Sequence, residues 1–124
     1  MGSIQFIIAD CSGAEMILID DTLANRIAWM AQAKRANQKL ATFSCGEEFF
    51  CCESLIARET PIYVDYFFDG KVGGVLIAER PVQSGFSNVF FATAYSNDKM
   101  TVPSGVRGVV NKGFPDRLTP QAER

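Results

Sequence analysis

Apolar and polar positions repeat with two periods along this chain, and the switches between them mark out the expected elements. "IQFIIAD" (Ile4–Asp10) and "AEMILID" (Ala14–Asp20) are short apolar runs of strand type, joined by Cys11-Ser12-Gly13. Gly13 can adopt positive φ there, so the pair predicts an N-terminal hairpin. A helical period follows over Thr22–Lys39. Asp20, Asp21 and Thr22 supply capping oxygens and negative charge at its start, and Lys34, Arg35 and Lys39 supply cations at its end. Its apolar residues fall on two stripes: Leu23, Ile27, Met30 and Ala31 on one, Trp29, Ala33, Ala36 and Leu40 on another, roughly 150° away at 100° per residue. Such a helix needs two surfaces to pack against.

Strand-like runs dominate the rest. Leu40–Ser44 and Phe49–Ala57 flank a turn at Cys45-Gly46-Glu47-Glu48. Asp69-Gly70 lies between "PIYVDYFF" and "KVGGVLIAERP", which predicts a two-residue type I′ hairpin with Tyr66 opposite Gly73 and Asp65 opposite Gly74. Both faces of that hairpin are largely apolar, with Asp65 as the only charge on one of them. Ser87–Ser96 reads as a further strand, Arg107–Val110 as a short one, and residues 115–124 as a charged, flexible tail. The expected architecture is α+β: a single domain over 1–114, an antiparallel curved sheet of about six or seven strands, and one main helix (about 22–39) after an N-terminal hairpin.

Composition narrows the chemistry. The 124 residues suit one domain with its own core, and 48% are hydrophobic. There is no histidine, which removes histidine-based triads, metal ligands and pH switches. No apolar run is long enough to span a membrane, and the start lacks a basic leader, so a cytoplasmic protein without membrane association is expected. The net charge of −2 hides segregation. Residues 1–21 carry only acids, 22–46 only bases, and 47–69 six acids against one base. Such fields can steer a charged partner, while a sequence pI near 5.1 argues against nucleic acid as that partner.

The cysteines Cys11, Cys45, Cys51 and Cys52 lack the paired spacing of a zinc site. They are read as reduced, small core residues, with no metal and no cofactor expected. Asp20-Asp21-Thr22 resembles the D-x-D-x-T type of phosphatase motif only superficially: Leu18 stands where its first Asp belongs, and helix capping accounts for the cluster. Ser104–Gly113 combines glycines with Arg107 and Lys112, a composition able to cradle phosphate, yet it matches neither phosphate-loop pattern. Asp65 is the leading candidate for a ligand contact, being an acid amid apolar residues, with Tyr63 and Arg107 as companions. Trp29, Phe67 and Leu76 are the candidate interface residues, with no catalytic residue assigned.

These readings favour a small non-enzymatic protein that binds a partner protein, of inhibitor, immunity, anti-defence or accessory type, and predict a homodimer. The alternative is a small-molecule or nucleotide binder, an enzyme included, with its pocket between helix and sheet.

Overall fold

A computed structural model describes residues 11, 13–67, 73–94 and 100–113. Five strands run through it: β1 (Met16–Ile19), β2 (Leu40–Phe43), β3 (Ile62–Asp65), β4 (Val89–Thr93) and β5 (Val106–Asn111). Three α-helices alternate with them: α1 (Leu23–Arg35), α2 (Gly46–Cys52, continued by a 3₁₀ turn over Glu53–Leu55) and α3 (Gly74–Gln83). All four strand pairings are parallel, in the order β2-β1-β3-β4-β5. This is the flavodoxin-like, doubly wound α/β arrangement, which overturns the antiparallel α+β sheet expected from the sequence.

The strands explain why. Every residue of β1, β3 and β4 is buried. Ile17, Ile19, Phe43, Ile62, Val64, Val89 and Phe91 belong to one apolar cluster with Phe49 of α2 and Ala78 of α3. The alternate residues Met16, Leu18, Tyr63, Phe90 and Ala92 form a second cluster with Trp29 of α1. Strands apolar on both faces need helices on both sides, and parallel crossovers supply them.

Two expected strands and one expected hairpin are corrected. The expected strand Phe49–Ala57 is instead α2 and its 3₁₀ turn as far as Leu55, with Phe49 and Cys52 on the buried side. The second arm of the Asp69-Gly70 hairpin is α3, whose Gly74, Ala78 and Pro81 recur at helical spacing and are buried; Asp69 and Gly70 themselves lie outside the described residues. The second arm of the N-terminal hairpin is β1, hydrogen-bonded in parallel to β2 and β3, while Ile4–Asp10 lies outside the described residues. The 115–124 tail also lies outside them.

The main helix ends at Arg35 rather than Lys39. Asn37 takes φ 57°, and the amides of Asn37 and Gln38 return to the carbonyls of Lys34 and Ala33, a Schellman stop. Of the two stripes on α1, Trp29 and Ala33 face the sheet. Leu23, Ile27 and Met30 are exposed by 60%, 52% and 45%.

Candidate functional site

All five strands point the same way, so their C-terminal ends share one edge of the sheet. β1 connects outward to β2 on one side and β3 carries the chain the other way, which opens a crevice at the β1/β3 switch point. Asp20 and Asp21 follow β1, and Asp65 closes β3 directly alongside. Thr93 ends β4, one residue past Ala92, the register partner of Asp65. Lys112 follows β5, and its amide donates to the Thr93 carbonyl at 2.9 Å.

These residues converge. Lys112 Nζ lies 2.9 Å from Asp65 Oδ1 and 3.3 Å from Asp20 Oδ2. One carboxylate oxygen from each of Asp20, Asp21 and Asp65 falls within 4.8 Å of the others. Asp20 is completely buried and Asp65 nearly so, while Asp21 is half-buried and opens the cluster to solvent. Local structure fixes each acid. Asp20 Oδ1 accepts from the Thr22 amide at 2.8 Å and Oδ2 from Asn25 Nδ2 at 3.3 Å. Arg26 Nη1 donates to the Asp20 carbonyl at 2.8 Å. Asp65 Oδ1 accepts from the Phe67 amide at 3.3 Å. Asp20 thus braces the turn that leads into α1, whose N-cap Thr22 makes no side-chain capping bond, and also holds the Lys112 ammonium.

Burial raises the Asp65 pKa. The hydrogen bond and charge of Lys112 pull it back down, and Asp20 and Asp21 push it up again, for a net rise above the ordinary carboxylate value. Burial works against the charge on Lys112, yet its hydrogen bond to Asp65 and the fields of Asp20 and Asp65 outweigh burial and raise its pKa. Three carboxylates against one ammonium leave an excess of negative charge. Hard oxygen donors, partly open to water, match the preferences of Mg²⁺ or Ca²⁺, so the donor set fits a divalent cation held by Asp20, Asp21 and Asp65.

The candidates read from the sequence scatter. Asp65 stands at the centre of this cluster. Tyr63, two residues before it, is 2% exposed, stacked on Phe90 (5.3 Å, 17°) and tilted against Trp29 (5.4 Å). Burial pushes its phenol up to about 12. Arg107 lies near the opposite end of the sheet, about five residues or roughly 16 Å from Lys112 along β5. It occupies the register shift between β4 and β5 and donates from Nη1 to Asn88 Oδ1 at 2.6 Å. Trp29 is 2% exposed and covered by its own chain. Phe67 is half-buried against Tyr66, whereas Leu76 is 71% exposed. Sequence reasoning assigned Asp21 to helix capping, named Lys112 only as part of a phosphate-cradling composition, and did not single out Thr93. The available signal was a polar residue directly after each apolar run, the position where a parallel strand delivers its side chains.

Among the described residues the cysteines form no disulfide: Cys11 and Cys52 are buried, Cys45 is intermediate and Cys51 is exposed on α2.

No protein-family profile matches the sequence, and no curated protein matches it. Among solved structures, the fold is similar to the N-terminal domain of a response regulator/sensory box/GGDEF 3-domain protein from Carboxydothermus hydrogenoformans. The likeness covers 81% of this chain and 82% of that one, with a TM-score of 0.61 and 17% identity. It establishes the α/β fold. Neither the parallel sheet nor this likeness supports the inhibitor role expected from the sequence. Among the described residues, no helix is long and apolar enough to cross a membrane.

Proposed function

We propose that this domain is a phosphorylation-controlled switch that accepts a phosphoryl group on Asp65 with the help of a divalent cation. The observation that carries the reading is the Lys112 ammonium bridging Asp20 and Asp65 at the mouth of a three-carboxylate cluster. A carboxylate is a competent nucleophile toward phosphorus. One Asp65 oxygen attacks the phosphorus of an activated donor, the new O–P bond forms, and the bond to the leaving group breaks with its electron pair. The product is an acyl phosphate on Asp65.

Asp20, Asp21 and Asp65 would hold the divalent cation, which would neutralise part of the incoming charge. Lys112 relinquishes part of its ion pair with Asp65 and follows the phosphoryl oxygens. Thr93 offers a hydroxyl-bearing residue at the same sheet edge. The fold neighbour's description as part of a response regulator is in keeping with such a role.

A switch acts through a reader, which retains the expectation of a partner protein. The exposed stripe of Leu23, Ile27 and Met30 starts beside Asp21 and suits a protein surface, a second copy of the chain included. Sedimentation at micromolar concentration distinguishes a homodimer from a monomer awaiting another partner.

The phosphoryl mimic beryllofluoride, added with Mg²⁺, tests the site. Saturable shifts in the NMR spectrum centred on residues 20, 65, 93 and 112 support the reading. An unchanged spectrum removes it.

A further inference from the structure

The backbone of Lys112 is held from two sides. Its amide donates to the Thr93 carbonyl at 2.9 Å, which is the last tie to β4. Its carbonyl, past the end of the strand ladder, accepts from Trp29 Nε1 at 2.8 Å. β5 is an edge strand, paired among the described residues with β4 alone, and Lys112 is followed by Gly113 in an Asn111-based turn (Gly113 N to Asn111 Oδ1, 3.0 Å). A residue there has little of its own to fix its direction. The indole comes from α1, 83 residues away in the chain, and is buried against Tyr63 (5.4 Å between ring centroids). The first turn of the same helix holds Asp20 through Asn25 and Arg26. One helix therefore anchors both an acid of the cluster and the backbone of its cation.

We infer that Trp29 is a positioning residue: its indole N–H, by clamping the Lys112 carbonyl, keeps the ammonium aimed between Asp20 and Asp65 for an incoming phosphoryl group. The inference rests on the phosphoryl-acceptor reading above. It carries a signature that plain packing does not. A released Lys112 no longer offsets the carboxylates, so Mg²⁺ alone binds more tightly. The anionic phosphoryl mimic, deprived of its ammonium, binds more weakly. Losing one neutral hydrogen bond predicts changes of about fivefold in each direction.

The experiment compares wild type, Trp29→Phe and Lys112→Met by calorimetric titration with Mg²⁺, then with beryllofluoride at saturating Mg²⁺. The inference expects the opposed pair of changes in both variants, larger in Lys112→Met. If Lys112→Met shows the split and Trp29→Phe weakens both ligands, or neither, Trp29 only packs and the inference falls. If Lys112→Met itself shows no split, the phosphoryl-acceptor reading fails instead. The wild-type chain gives an independent check, because Trp29 is the only tryptophan and yields one indole N–H resonance. That resonance should shift on adding Mg²⁺ and beryllofluoride and stay protected from hydrogen exchange. An unshifted, freely exchanging indole contradicts the clamp whatever the variants do.

Discussion

Lys112 Nζ sits 2.9 Å from Asp65 Oδ1 although 47 residues separate the two in the chain. The contact exists because β3 and β5 are parallel to β4, which stands between them and brings both C-terminal ends to one edge. A single reversed strand would send one of the two residues to the far side of the molecule.

Replacing Lys112 by Met leaves two buried carboxylates without their cation. Stranding buried charge in this way costs about 3 kcal/mol. Urea denaturation should show that loss in metal-free buffer, and millimolar Mg²⁺ should restore part of it. Equal stability of variant and wild type would mean that the ion pair is energetically idle.

Asp65→Asn should act in the opposite direction. The folded-state pKa of Asp65 is raised, so its contribution is fully present below the ordinary carboxylate value and is lost as pH rises through the raised one. At neutral pH the ionised side chain therefore weakens the fold, and the neutral amide removes that penalty. Stability measured from pH 4 to 7 without metal should fall less steeply in Asp65→Asn than in wild type. A steeper fall in the variant would contradict the assigned sign.

Tyr63 sets an alkaline limit. Its phenol titrates near 12 when folded and near 10 when unfolded, so folding loses stability between those values, by about 2–3 kcal/mol in all. Lys112, also raised, loses its contribution as pH climbs through its own folded value. Circular dichroism against pH should place base denaturation higher in Tyr63→Phe than in wild type.

Gly74→Ala tests the seating of α3. A Cβ at this position would run into the Asp65 carbonyl and come within 2.9 Å of Tyr66 Cα, both backbone atoms that cannot swing aside. The variant should lose about 1–3 kcal/mol and should perturb Asp65, which lies directly under the clash. Unchanged thermal melting would show that the β3–α3 connection has slack.

Much of this was readable in the sequence, and the rest failed for identifiable reasons. α1, β2, β3 and β4 sit close to the positions that their apolar patterns predict. The signal for a parallel sheet was present too, in the two-sided apolar runs "MILI", "IYVD" and "VFFAT", which only helices on both faces can cover. Asp69-Gly70 masked it, because an Asp-Gly pair between two runs rich in strand-forming residues is locally a hairpin turn. Val75 and Ile77 then read as strand residues, whereas Gly74, Ala78 and Pro81 form the buried stripe of a helix. Asp65 stood out as an acid among apolar neighbours. Lys112 did not, since its meaning depends on which strand ends share an edge, a property of topology rather than of local pattern. Trp29 was read as a partner-facing residue because the partner of its indole lies 83 positions away.

The central claim is that Asp65 receives a phosphoryl group, and the most direct measurement is to look for it there. The chain is incubated with acetyl phosphate and Mg²⁺, and the labelled residue is located by peptide mass spectrometry after borohydride trapping of the acyl phosphate. The account predicts label on Asp65, dependent on Mg²⁺, sharply reduced in Lys112→Met and absent in Asp65→Asn. Label that persists in Asp65→Asn, or a wild-type chain that never takes it up, would contradict it.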